Sequence, residues 1–408
     1  MSYGLLGLGT MGFNLALNVS KNTTLHVHNR TYTKVDKLMQ VAGTDSKNIR
    51  GHDDMIEMVA SMETPRTILT MLPHGQPTNM VVQNIAPLLA KDDCIIDCAN
   101  ELYSTSTKRK QLCDTFDIGY LGMGVSGGSL GALNGPALMV GGDSRVYERV
   151  EDFLTSFSSN CIHIDDDAGS GHFTKMVHNG VEYAMMQGIA DIFACVNFNE
   201  TRMTEILHKM KETKVDGYLT RATQSVFDTY NLNEISDVAE MNQTGTWCTK
   251  YALEHNLNVP VIHSAVNARI MSTHRFDVSS VFSSSYICND DDLLVQSLLF
   301  VFATSVIEGL RLTYHKKLRR DFVQKAWSKG TIIECGMVTS DYDTLYDIID
   351  NCSHSARALS IAATRAGVPI LSIQAALSSY DFLHLNKTQM NLIMAQRNFF
   401  GNHPIKQT

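Results

Sequence analysis

The feature that restricts this chain most is a glycine run, Gly7-Leu8-Gly9-Thr10-Met11-Gly12, directly behind the apolar stretch Tyr3-Gly4-Leu5-Leu6 and ahead of the helix-compatible Asn14-Leu15-Ala16-Leu17-Asn18-Val19. Glycines at this spacing permit a tight turn and a close backbone approach, so a pyrophosphate can rest on N–H groups exposed at a helix start. The pattern gains weight from its context, because a second strand-like segment, Thr24-Leu25-His26-Val27-His28, follows and ends at Asn29-Arg30-Thr31. Further short apolar runs lie at Thr67-Ile68-Leu69-Thr70-Met71-Leu72, Cys94-Ile95-Ile96-Asp97 and Gly119-Tyr120-Leu121-Gly122-Met123, alternating with helix-like segments. Runs of this kind are buried on both faces of a parallel sheet. They predict an N-terminal doubly wound α/β (Rossmann) domain over residues 1–166, with ligands bound beyond the carboxyl ends of its strands.

The residue after the second strand discriminates between cofactors. An NAD site carries Asp or Glu about 20 residues past the glycines, accepting from the ribose 2′-hydroxyl. Arg30 stands in that region instead, with Thr31 beside it and Lys34 a turn further on. A guanidinium binds a 2′-phosphate through paired charge-assisted hydrogen bonds, which a carboxylate would repel, so the expected cofactor is NADP. The residues expected to hold it are Gly7, Gly9, Thr10, Met11, Gly12, Asn29, Arg30, Thr31, Lys34, Leu72, Pro73, His74 and Asn100. The loop Gly124-Val125-Ser126-Gly127-Gly128 offers a hydroxyl and unhindered N–H groups, suited to a carboxylate or hydroxyl of a substrate.

Past Asp165-Asp166-Asp167 strand signals nearly vanish, and long helical patterns predict a mainly α-helical domain over residues 167–385, followed by a tail over 386–408. The acidic triplets read as helix caps and solvated turns that need no metal. The most apolar window, residues 293–310, is broken by Gln296, Ser297, Thr304, Ser305 and Glu308 and reads as a buried helix rather than a membrane span. A formal net charge of −8 and the absence of a basic block give no reason to expect nucleic acid or an anionic membrane as partner. Nine cysteines without a C-x-x-C pair fit reduced thiols, and no charged-then-apolar leader opens the chain; a cytoplasmic location is expected.

The helical half contains the chain's most suggestive chemistry. In Lys175-Met176-Val177-His178-Asn179-Gly180-Val181-Glu182-Tyr183, an amine and a carboxyl group stand seven residues apart, nearly two helical turns, with His178 and Asn179 between them on the same face. A solvated polar stripe uses the same spacing. An acid–base site uses it too.

With these motifs in hand, the sequence resembles the decarboxylating 6-phosphogluconate dehydrogenase family, within the β-hydroxyacid dehydrogenases. The likeness is carried by the glycine run, Asn29-Arg30-Thr31, Asp97 to Asn100, Gly124 to Gly128, Gly135-Pro136-Ala137-Leu138-Met139, Gly171 through Tyr183, Ala268-Arg269 and the segment from Gln396-Arg397 to His403. The resemblance implies catalysis by Lys175, Glu182 and Asn179. Lys175 would be the general base that takes the C3 hydroxyl proton and then polarises the ketone; Glu182 would protonate the enediol carbon. It implies a sugar-acid substrate held by Asn100, Ser126, Gly127, Gly128, His178, Asn179, Tyr183 and Arg269, and a homodimer in which Arg397 and His403 of the tail complete a neighbour's pocket. Oxidative decarboxylation of 6-phosphogluconate to ribulose 5-phosphate and carbon dioxide is the function it implies.

Departures from the family pattern cluster at the distal end of the substrate. Thr246 stands where the family has a phosphate-binding lysine, Cys248 where it has a threonine, Glu101 where a serine is usual, and Glu334 where it has an arginine. Glu101 is expected to bring negative charge close to an anionic substrate, and the segment Ala326 to Glu334 to have lost positive charge. The chain is also shorter than the familiar enzymes in its helical domain. Two alternatives follow from these differences: the same reaction on a related acid with a different or absent phosphate, and a non-catalytic ligand sensor. Retention of both Lys175 and Glu182 speaks against the sensor.

Overall fold

The computed structural model describes residues 1–274 and 288–405. Eight strands build the N-terminal half: β1 (Ser2–Leu6), β2 (Leu25–His28), β3 (Ile49–His52), β4 (Arg66–Thr70), β5 (Cys94–Asp97), β6 (Gly119–Ser126), β7 (Ala137–Gly141) and β8 (Asn160–Asp165). They form one sheet in the order β3-β2-β1-β4-β5-β6-β7-β8. Pairing is parallel from β3 to β6, antiparallel between β6 and β7, and parallel again between β7 and β8. The expected parallel core is therefore present, and the sheet is extended by three strands that the apolar runs did not mark.

Neighbouring residues on the central strands feed opposite layers. Leu5, Leu69, Ile96 and Leu121 belong to one core, while Leu6, Ile68, Ile95 and Tyr120 belong to the other. Each strand is thus apolar on both faces, as a sheet covered by helices on both sides requires. Strand order reverses on either side of β1, where it meets β2 and β4, so the crevice above its carboxyl end is the topological switch point. The glycine run emerges there.

Beyond β8 the chain is helical, with one isolated bridge, Gly217 to Cys335, among the described residues. Three long helices, Ser170–Cys195, Asp291–His315 and Tyr342–Ala366, pack around Phe300, Phe302 and Trp327. The 291–315 helix is long and apolar enough to cross a membrane, but its apolar window is mostly buried within the protein. Buried carboxylates cap two neighbouring helices: Glu308 accepts from the amides of Val261 and Ile262, and Asp191 from those of Ser372 and Ile373. Burial pushes their pKa values up to about 8 and about 6, with the amide contacts opposing the rise.

The acidic triplets are also accounted for as caps and ion pairs. Asp290 accepts from Leu293 N, Asp291 pairs with Arg202 and Lys209, Asp166 accepts from Ser144 N, and Asp167 binds Gly169 N and Lys316. The tail forms a helix at Met390–Gly401 that buries none of its residues, with Phe399 92% and Phe400 75% exposed.

Candidate active site

The turn after β1 is shaped by its glycines. Gly7 lies at φ +104, and its N–H donates to the His28 carbonyl at 3.0 Å. A Cβ on Gly12 would come within 2.0 Å of the Gly7 carbonyl oxygen, so the helix Thr10–Ser20 approaches the turn only because Gly12 has no side chain. Asn29 closes the turn from the second strand, its Oδ1 accepting from Leu8 N at 2.9 Å.

Above this turn opens a cleft of about 900 Å³. Every residue expected to hold the cofactor lines it: Gly7, Gly9, Thr10, Met11 and Gly12 in the turn after β1, Asn29, Arg30, Thr31 and Lys34 after β2, Leu72, Pro73 and His74 after β4, and Asn100 after β5. Space above Gly9 is open, leaving room for a phosphate against the backbone, and Arg30 and Lys34 are exposed and free to meet an anion. The residues present therefore fit a dinucleotide with a ribose phosphate. Met55, Pro77, Met80, Val81 and Asn84 also line the cleft. Sequence reading passed over them because scattered residues on the 55–61 and 76–85 helices carry no motif.

The second half of the site stands on the 170–195 helix, which lies against β6. A Cβ on Gly124 would sit 2.4 Å from that of Lys175, so this glycine lets the lysine pass over the strand. Lys175 is 7% exposed; its Nζ donates to Ser126 Oγ at 3.2 Å and lies 3.2 Å from His178 Nδ1. Glu182 Oε2 approaches the same His178 Nδ1 at 3.6 Å. The amine and the carboxyl group thus converge on one imidazole nitrogen. Ser126 Oγ contacts the other ring nitrogen, Nε2, at 3.1 Å.

Burial governs the titration of this group. It lowers the Lys175 pKa to about 8, with Glu182 opposing. It raises that of Glu182, opposed by Lys175 and Arg269, and pushes that of His178 well below the ordinary imidazole value, helped by Lys175. A buried amine is thereby brought within reach of proton acceptance near neutrality, and a carboxyl group toward proton donation.

The remaining expected substrate residues extend from this cluster. Asn179 Nδ2 donates to Thr244 Oγ1 at 3.0 Å, and the Tyr183 hydroxyl donates to Asn242 Oδ1 at 3.3 Å. The Arg269 guanidinium lies 3.6 Å above the Tyr183 ring. Gly127 and Gly128, at φ +110 and +62, turn the chain after β6 beside Gly330 and Ile332. Asn242 and Val125 line the dinucleotide cleft, Val125 immediately preceding Ser126, so the two halves share a wall. Arg397 and His403 do not join the group within one chain: both are exposed, and their hydrogen bonds stay within the tail.

One expectation at the distal end changes, and the structure shows what the other departures do. Glu101 does not place free charge beside a substrate, because it is buried and paired with Arg109 at 2.7 Å. Glu334 is likewise paired, with Oε2 accepting from Gly330 N at 2.7 Å and Oε1 from Arg221 at 3.0 Å. Cys248 is fully buried, and a Cβ on Gly180 would come within 2.6 Å of its sulfur, so the thiol serves helix packing. Thr246 is exposed. Its neighbour Trp247, not singled out from sequence, meets His74 of the cleft lining edge to face at 5.2 Å.

Comparison with known proteins bears on the whole chain. The sequence model described as the NAD binding domain of 6-phosphogluconate dehydrogenase matches residues 2–165, and that of the 6-phosphogluconate dehydrogenase C-terminal domain matches residues 171–408. The decarboxylating 6-phosphogluconate dehydrogenase of Synechococcus elongatus is 32% identical, with 100% of this chain and 97% of the relative aligned. The NADP(+)-dependent, decarboxylating enzyme of Bacillus subtilis is 30% identical over 99% of this chain and 96% of its own length. Among solved structures, the 6-phosphogluconate dehydrogenase of Plasmodium falciparum superposes with a TM-score of 0.89 at 28% identity, covering 100% of this chain and 98% of the other. The 3-hydroxyisobutyrate dehydrogenase of Mycobacterium tuberculosis shares the fold at a TM-score of 0.53 and 18% identity, over 73% of this chain and 98% of its own. Both halves of the sequence thus lead to the same place: the chain belongs to the 6-phosphogluconate dehydrogenase family.

Proposed function

We propose that this protein catalyses the NADP-dependent oxidative decarboxylation of 6-phosphogluconate to ribulose 5-phosphate and carbon dioxide. The observation that carries the reading is the convergence of Lys175 and Glu182 on His178 Nδ1, at 3.2 and 3.6 Å, beside the cleft that fits a dinucleotide. When bound, NADP supplies the acceptor for the hydride leaving C3 of the sugar acid.

The chain's own residues handle the protons. Lys175, with its pKa lowered by burial, accepts the proton of the C3 hydroxyl. As an ammonium it then donates to the ketone oxygen, stabilising the charge that develops there as carbon dioxide leaves C1. Glu182, whose carboxyl group is pushed toward its protonated form, gives a proton to the C1 carbon of the enediol. Ser126 and Asn179 hold Lys175 and His178 in place and, with Gly127, Gly128 and Asn100, face the sugar hydroxyls; Tyr183 and Arg269 receive its distal end.

The functional unit in this proposal is a homodimer, supported by a terminal helix that exposes Phe399 and Phe400 along with Arg397 and His403. A cytoplasmic setting is supported by nine free thiols. The test is joint measurement of NADPH appearance and carbon dioxide release across 6-phosphogluconate and unphosphorylated aldonic acids. Rapid turnover confined to an acid without phosphate would replace the substrate named here. Binding without turnover of any of them would favour the sensor.

A further inference from the structure

One buried charged cluster takes no part in the chemistry above. Arg109, on the helix Tyr103–Asp114, is 3% exposed and lies between two carboxylates, Asp97 at the end of β5 and Glu101 in the loop that follows. A buried guanidinium is neutralised by one carboxylate, and Asp97, which also accepts from the Tyr120 hydroxyl at 2.8 Å, is in direct contact with it. The second carboxylate is the anomaly. Its cost is offset by backbone donors from two separate loops: Glu101 Oε2 accepts from Gly75 N at 2.8 Å, and Oε1 from Leu102 N at 2.9 Å.

Those donors are informative because of what adjoins them. Gly75 stands at φ +76, ψ −129, a conformation disfavoured for any residue with a Cβ, and its carbonyl accepts from Arg109 Nη2 at 3.0 Å. Both of its backbone polar groups are thereby committed to this cluster. Pro73 and His74, directly before it, and Asn100, directly before Glu101, all line the cleft, on loops that follow the paired strands β4 and β5. His74 in turn meets Trp247 of the helical half.

We propose that Glu101 is a positioning residue for the dinucleotide: by joining the Gly75 turn to the Asn100 loop, directly and through Arg109, it fixes where Pro73, His74 and Asn100 stand along the cleft. The inference rests on the reading that this cleft takes NADP, and wild-type NADPH binding checks that reading separately. If the wild-type chain does not bind NADPH, the cofactor reading fails and this inference with it.

The experiment compares wild type, Glu101→Gln and Gly75→Ala by steady-state kinetics and NADPH titration. In Glu101→Gln an amide N–H would face the guanidinium or the Gly75 N–H, and in Gly75→Ala the turn shifts while both carboxylates and Arg109 stay. Both variants should raise the KM for NADP and the Kd for NADPH about tenfold, leaving the KM for the sugar acid within about twofold and the acid limb of the pH profile in place. A folded Glu101→Gln protein that melts earlier yet keeps wild-type cofactor constants overturns the proposal. Should Glu101→Gln not fold, Gly75→Ala decides it, and an unaltered KM for NADP in that variant overturns it equally.

Discussion

Replacing Glu182 by glutamine tests the proposed proton chemistry most directly, because the effect on Lys175 has a sign that burial alone would not produce. Lys175 titrates near pH 8, lowered by burial and held from falling further by the Glu182 carboxylate. Both groups touch His178 Nδ1, at 3.2 and 3.6 Å, so amine and carboxylate are at most about 7 Å apart; at an effective dielectric of about 20 that is an attraction of about 2 kcal/mol. The Glu182 side chain keeps 21% of its exposure, which screens the pair and brings the expected change down to about one pH unit. The base works unprotonated, so in the wild type kcat/KM falls as pH drops through about 8. In Glu182→Gln that acid limb should move to lower pH by about one unit. At the same time kcat should fall by about a hundredfold, for want of the late donor. The measurement is kcat/KM against pH by NADPH absorbance, with carbon dioxide followed in parallel. An acid limb that stays fixed or moves upward refutes the coupling, and a wild-type kcat refutes the donor.

The other predictions are simpler. Lys175→Met should nearly abolish turnover while NADPH binding, followed by fluorescence, remains within about twofold; persistent turnover would remove the lysine from its role. Arg30→Asp should shift the ratio of kcat/KM for NADP over NAD toward NAD by about ten- to a hundredfold, the worth of a charge-assisted phosphate contact, and an unaltered ratio would contradict that contact. Gly12→Ala forces a Cβ to within 2.0 Å of the Gly7 carbonyl, so a lowered melting temperature and a raised KM for NADP are expected; wild-type values would mean the turn tolerates movement. Thr246→Lys should tighten binding of phosphorylated acids by about tenfold and leave unphosphorylated ones unchanged; equal effects on both would place Thr246 away from the phosphate.

What could be read from sequence divides along physical lines. The inner strands announce themselves because both faces are apolar, as in Ile68-Leu69 and Ile95-Ile96. β3 and β8 lie at the two ends of the sheet and carry polar residues such as Arg50 and His163, so they have no such run, and β7 is hidden behind Gly135-Pro136 and reverses direction. The spacing of Lys175 and Glu182 correctly put them on one helical face; that His178 Nδ1 stands between them needed the side chains. Glu101 shows the limit best. As a charge in a loop it looked like a repellent to substrate, and only the fold reveals Arg109, eight residues later, turning back to meet it. Contacts between halves, such as His74 with Trp247, depend on long-range packing that no local pattern encodes.

The 170–195 helix has one more implication. Its inward face is part of the main apolar core, where a Cβ on Gly188 would come within 2.9 Å of Val301, while the same rod carries the base and the acid. Many enzymes keep their reactive groups on loops that can drift independently of the scaffold. Here a cavity opened under the helix, between one and two turns past Glu182 and Tyr183, would tilt the rod and alter the burial that tunes the amine. Thermal robustness and pH optimum should therefore drift together across orthologues, and selecting for a hotter-working variant would change the acidity at which it works best.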